Sequence, residues 1–297
     1  MPWLKFEVEA DHDQAEPVAQ ALEDCGALAV TVEDARHEPQ FEDTGRVTTY
    51  WTQNRISALF PTIADVEAVV RQITERLGKP PVYTLEMLGD VDWQAACRAH
   101  FTPMQFGSTL WVCPSWVEPP QPDAVNVFVD PGLAFGTGTH PTTRLCLEWL
   151  ATRRYADEDV IDYGCGSGIL AIAALKLGAG HAWGVDNDPR ALAVSTENAT
   201  RNHVGGRYRA LPPEPLSDSL KADIVLANIL AEPLGTLAPD LTRLVRPSGM
   251  LVLSGVLHDQ VDSVRRRYAG RFSFDTRLRD DKAHGLRWAI LVGSRIA

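Results

Sequence analysis

Seven residues, Asp162-Tyr163-Gly164-Cys165-Gly166-Ser167-Gly168, carry the first chemical signal in the chain. They follow the apolar pair Val160-Ile161 and lead into Ile169-Leu170-Ala171-Ile172-Ala173-Ala174. Glycine is needed where a ligand lies against bare backbone and where a turn demands positive φ. The spacing is G-x-G-x-G, whereas a dinucleotide fingerprint is G-x-G-x-x-G with the pyrophosphate on the helix N-terminus. Asp162 in front of the first glycine would repel a pyrophosphate at close range. It suits a cofactor that carries an ammonium group, as S-adenosylmethionine does. Taken alone, a glycine-rich turn of this kind reads equally well as an ordinary tight turn.

Three further segments add weight. Val185-Asp186 closes a second apolar run, 22 residues after Gly164. A carboxylate there can accept hydrogen bonds from both ribose hydroxyls of an adenosyl cofactor. It could instead cap the helix that starts near Pro189, but Asn187, Asp188 and Pro189 already supply that function. Upstream, the stretch from Asp130 to Thr143 is too polar and glycine-rich for a core strand. It reads as a loop over the cofactor, with Phe135 as an apolar wall and Thr143 as a hydroxyl donor. Thr139 and Thr143 could also be helix-start residues. His140 has no second His or Cys at ligand spacing, so it reads as a hydrogen-bonding or capping residue and no metal site is expected. Asn228 ends the run Ala222-Asp223-Ile224-Val225-Leu226-Ala227 and precedes Ile229-Leu230-Ala231. Its amide carbonyl can accept a hydrogen bond from a neutral amine while the lone pair stays aimed at a methyl group, and alignment is most of what such a transfer needs. The competing role is a cap for the following helix. Many amino-group methyltransferases carry Asn-Pro-Pro-aromatic at this place. Here the tetrad is Asn-Ile-Leu-Ala, so an aromatic wall must come from elsewhere.

Other features carry less. Arg265-Arg266-Arg267 reads as a solvated helix face, and Cys165 as a small filler with no base beside it in sequence. The five cysteines are odd in number and scattered, which disfavours a disulfide framework. The net charge of -11 disfavours a broad phosphate-binding face and would suit a basic partner. Hydrophobic residues at 45% and charged residues at 23% exclude global disorder. Residues 1–10 alternate too regularly for a signal peptide, and no apolar run is long enough to span a membrane. These points make a cytoplasmic protein the expectation, and nothing in them requires more than a monomer.

The elements that position these residues fall into two groups, as 297 residues suit two cores better than one. In residues 1–90, periodicity predicts strands at 3–8, 28–32, 56–60 and 82–88 and helices at 14–25 and 63–77. That βαββαβ order is a ferredoxin-like α+β sandwich, read as a scaffold or a substrate-docking module. Residues 91–102 read as a helical linker, 109–114 as a strand, and 114–123 as a proline-rich loop. The remainder of 103–297 alternates strands (160–163, 182–185, 224–227, 250–254) with helices (169–177, 189–202, 231–244, 259–268). An antiparallel pair, 272–278 and 286–292, closes it. Repeated βα units imply an open parallel sheet of Rossmann-like α/β type, with ligands beyond the carboxyl ends of its strands.

Asp130–Thr143, Val160–Leu177, Gly184–Pro189 and Ala227–Leu234 together closely resemble the bacterial methyltransferase family of large-subunit ribosomal protein eleven. The resemblance extends over the whole chain. It implies a class I methyltransferase domain preceded by a small ferredoxin-like domain that holds the substrate. It also implies S-adenosyl-L-methionine as cofactor and ribosomal protein eleven as the acceptor. The groups modified in the family are lysine ε-amines and, in some members, the N-terminal α-amine. Carried over by motif, the cofactor contacts fall on Thr143, Gly164, Asp186 and Asn228, with Asn228 also beside the acceptor amine. Phe135, Asp162 and Gly166 join them from the reading of the loops. The alternative is an RNA or small-molecule N-methyltransferase using the same cofactor site; the acidic charge argues against RNA and against direct nucleic-acid binding.

Overall fold

The computed structural model describes residues 3–36, 50–61, 64–89, 101–130, 136–214, 216–217, 219–281 and 285–296. The chain divides into two compact units, Met1–Ala99 and His100–Ala297. Residues 91–100 of the expected linker helix, and Phe135 with its neighbours 131–134, lie outside the described residues, and 101–102 are not helical.

The first unit contains β1 (Trp3–Asp11), α1 (His12–Asp24), β2 (Ala29–Asp34), β3 (Gln53–Pro61), α2 (Val66–Leu77) and β4 (Tyr83–Leu88). Its sheet is antiparallel, in the order β2-β3-β1-β4. Strict alternation buries Leu4, Phe6, Val8, Ile56, Ala58 and Phe60 on one face. Ala15, Val18 and Leu22 of α1 and Val69 and Ile73 of α2 join the same core. The result is the ferredoxin-like arrangement that the spacing predicts. Helix α2 starts three residues later than periodicity suggests, because Asp65 caps it by accepting from Ala68 N–H at 3.1 Å. It stops at Gly78, whose φ of 70° forms a left-handed C-cap.

The second unit opens with a small sheet of β5 (Met104–Phe106), β6 (Leu110–Cys113) and β7 (Val125–Phe128), of which only β6 is predicted. The main sheet uses β8 (Val160–Tyr163), β9 (Ala182–Val185), β10 (Tyr208–Leu211), β11 (Ala222–Asn228), β12 (Val245–Leu257), β13 (Phe272–Asp281) and β14 (Leu286–Arg295). Their order is β10-β9-β8-β11-β12-β14-β13, parallel except where β14 runs against both neighbours. From β8 the chain proceeds outward through β9 to β10, then returns to place β11 on the other side of β8. That reversal opens a crevice at the carboxyl ends of β8 and β11, where open α/β sheets bind ligands.

The helices of this unit are α3 (Pro141–Ala151), α4 (Ile169–Lys176), α5 (Pro189–Arg201), α6 (Ala231–Thr236), α7 (Ala238–Leu244) and α8 (Val261–Arg267). Helix α4 buries Ile169 through Leu175 without a polar stripe, as expected of a helix enclosed by α3, α5 and the sheet. The single helix predicted over 231–244 is broken at Leu237. Pro239 has no N–H to offer the Gly235 carbonyl, so the ladder cannot run through. The helix predicted from Asp259 begins instead as a 3-10 turn, His258–Gln260, before α8. Strand β10 is unpredicted. Only Tyr208 of its four residues is buried, which leaves no alternation to detect.

Candidate active site

The loop after β8 has the conformation its glycines allow. Gly164, Gly166 and Gly168 have φ of 75°, 51° and 77°. Gly164 N–H and Cys165 N–H both donate to Val185 O, at 2.7 and 3.0 Å, so the loop is tied to the end of β9. A Cβ on Gly164 would overlap Ile229 Cγ2, and one on Gly168 would lie 2.9 Å from Ser195 Cβ. Glycine at these two positions therefore lets the loop pack against Ile229 and Ser195.

Asp162 lies inside the domain. It is only 1% exposed, and its Oδ2 accepts from Ala171 N–H in the first turn of α4 at 3.2 Å. Burial pushes its carboxyl pKa up to about 8; the Ala171 bond opposes that shift and Asp186 adds to it. Beside the ammonium partner that the sequence reading assigns it, Asp162 has a backbone partner in Ala171 and a buried side chain. Cys165 is also buried, and desolvation raises its thiol to about 12, with Asp162 adding to the effect. A thiol in that state is no nucleophile at neutral pH.

Asp186 ends β9 facing the same loop. Its Oδ2 accepts from Gly166 N–H at 2.9 Å and its Oδ1 from Asp188 N–H at 3.0 Å. Capping of α5 falls to Asp188, which accepts from Arg190 N–H at 2.9 Å. Asp186 is thus no helix cap. Its half-exposed carboxylate keeps lone pairs beyond the two already used.

The upstream loop is pinned at both described ends. Asp130 accepts from Ser115 N–H and Oγ–H, each at 2.7 Å, and from Arg201 at 3.0 Å. Ser167 Oγ donates to Gly136 O at 2.6 Å, which joins this loop to the glycine turn. His140 is the N-cap of α3, with Nδ1 accepting from Thr142 N–H at 3.3 Å. That matches its reading as a capping residue.

Asn228 stands at the end of β11, beside the end of β8. Its Nδ2 donates to Thr143 Oγ1 at 3.2 Å. Its Oδ1 is buried and has no hydrogen-bond partner among the described residues. A buried acceptor left unpaired costs roughly 1–3 kcal/mol, so a native one calls for an explanation. Thr143, itself 1% exposed, holds one end of the amide and leaves the other end unpaired by it.

Gly164, Gly166, Asp186, Thr143 and Asn228 therefore surround the carboxyl ends of β8, β9 and β11. Several supporting residues are not singled out by the sequence. Asn198 Nδ2 donates to Ser167 O at 2.9 Å and steadies the glycine turn from α5. Ser254, fully buried, stands opposite Asn228 on β12. The pair Ser254-Gly255 inside an apolar strand is itself a signal for a bulge that could have been read.

The strand order, the reversed β14 and the glycine loop at the switch point define a class I methyltransferase domain. The chain belongs to the ribosomal protein L11 methyltransferase (PrmA) family, whose model matches residues 2–295. A ribosomal protein L11 methyltransferase from Nitrosococcus oceani is 46% identical over 297 residues, covering 99% of this chain and 100% of the relative. Another from Edwardsiella ictaluri is 47% identical over 277 residues, 93% of this chain and 94% of its own length. Among solved structures, the ribosomal protein L11 methylase of Lactobacillus delbrueckii subsp. bulgaricus is 31% identical with a TM-score of 0.55. It matches 66% of this chain and 100% of its own.

Proposed function

We propose that this enzyme transfers methyl groups from S-adenosylmethionine to amines of ribosomal protein L11, lysine ε-amines above all. The buried Oδ1 of Asn228, without a partner among the described residues and with its amide held at the end of β11 by Thr143, is the observation that carries this reading. The names of the relatives support the acceptor. The left-handed backbone at Gly164, Gly166 and Gly168 fits an adenosyl cofactor lying against the loop. Asp186 would accept from the ribose hydroxyls, and Thr143 and Asn228 would border the reacting end. When bound, the cofactor would supply an electrophilic methyl on its sulfonium, which an uncharged amine could take in line as the sulfur leaves as a neutral thioether.

A lysine amine has an ordinary pKa of about 10.4 and must lose a proton before it can attack. Desolvation in the crevice favours the neutral form. Asn228 Oδ1 then accepts one amine N–H and fixes the direction of the remaining lone pair. The first unit would act as the docking module for the acceptor protein. A ribosomal-protein acceptor would put the reaction in the cytoplasm.

Asn228→Ala tests the assignment. Transfer should fall by about 100-fold, since misplaced reactants lose that order of rate. Cofactor affinity, followed by calorimetry, should change much less. A variant with wild-type turnover would remove Asn228 from the reaction.

A further inference from the structure

Strand β12 is apolar and buried, yet it carries one enclosed hydroxyl where its ladder with β14 breaks. Pairing runs through Leu253↔Leu291 and resumes at Val256↔Ala289, so Ser254 and Gly255 share Ile290 as the residue across from them. This is a β-bulge, a device that re-aims side chains and occurs often beside active sites. Gly255 has φ of 86°, and a Cβ there would overlap the Ile229 backbone immediately after Asn228.

The bulge turns Ser254 Oγ toward two carbonyls, Thr142 O at 3.2 Å and Ala289 O at 3.3 Å. A hydroxyl has one hydrogen, so the two acceptors share it. Ala289 belongs to β14, whereas Thr142 lies in the first turn of α3, one residue before Thr143. Ser254 is also the ladder partner of Asn228 across β11 and β12. The contacts form a closed circuit. Ser254 holds the turn that carries Thr143, Thr143 holds the Asn228 amide, and Asn228 is paired with Ser254. A buried hydroxyl is costly without partners, and an alanine would suit the packing at less cost.

We infer that Ser254 is a positioning residue for methyl transfer. It fixes the first turn of α3 so that Thr143 keeps Asn228 Oδ1 presented to the acceptor amine. This inference rests on the role proposed above for Asn228.

The test uses full-length protein with Ser254→Ala, Ser254→Cys, Asn228→Ala and the Asn228→Ala/Ser254→Ala double variant. Label transfer gives kcat, and titration with S-adenosylhomocysteine gives cofactor-site affinity. Ser254→Ala should lower kcat by about 10- to 100-fold with Kd within about threefold of wild type. In the Asn228→Ala background it should cost less than about twofold more, because both changes disable one device. Ser254→Cys, which keeps a weak donor, should recover part of the loss.

Wild-type kcat in Ser254→Ala, losses that multiply in the double variant, or Kd weakened by the same factor as kcat would each overturn the inference. If Ser254→Ala fails to fold, Ser254→Gly, which also removes the hydroxyl, carries the test, and unchanged kcat in that folded variant overturns it. Full turnover in Asn228→Ala alone would instead remove the reading on which the inference depends.

Discussion

Asp162 and Asn228 lie near the carboxyl ends of neighbouring strands and meet burial in different ways. Asn228 keeps an unpaired acceptor, whereas Asp162 takes up a proton. Its carboxyl, ordinarily near 3.8, titrates at about 8 in the folded chain because desolvation disfavours the anion. Between those two values the native state binds a proton that the unfolded state has released. The contribution to stability is therefore full below about pH 4 and is lost as pH rises through about 8. Asp162→Asn keeps a neutral side chain at every pH. Denaturant midpoints of wild type should fall more steeply from about pH 5 to about pH 8.5 than those of the variant. Parallel slopes would mean that Asp162 is ionised in the fold.

At the scale of elements, the turn between β8 and α4 depends on backbone that only glycine adopts comfortably. Gly164→Ala combines a left-handed φ with an overlap on Ile229 Cγ2. Strain of this kind costs about 1–3 kcal/mol, and relief would push Ile229 or the loop out of place. The melting temperature should drop and cofactor affinity should weaken by at least about tenfold, about 1.4 kcal/mol. A folded variant with wild-type affinity would show that the cradle lies elsewhere. These elements were also the most legible in the sequence. Val160–Tyr163 and Ala182–Val185 are found at their predicted bounds, because buried parallel strands read as short apolar runs closed by Asp or Gly. Strands β5, β7 and β10 were not legible, since Gln105, Asn126 and Arg209 interrupt their short apolar patterns. The inward turn of Asp162 was hidden for a related reason. A residue's type states its charge, but its partner is set by the packing of α4 over β8.

For the whole molecule, two units with separate cores share a net charge of -11. An acidic enzyme acting on lysine-bearing protein should gain from long-range attraction, which salt screens over about 10 Å at 0.1 M. KM for the protein acceptor should therefore rise as salt increases from about 50 to about 300 mM. Neither kcat nor cofactor affinity should follow it. A KM independent of salt would mean that docking rests on apolar contact rather than charge. Charge sign and the two-core division were readable from composition and periodicity, whereas no motif in the first unit identified a docking surface.

The central claim concerns what receives the methyl group. Incubating the full-length enzyme with methyl-labelled S-adenosylmethionine and separated ribosomal proteins and RNA tests it most directly. Label should appear on lysine of ribosomal protein L11 and be lost when Asn228 is replaced by Ala. Label in RNA, or in no fraction, would contradict it.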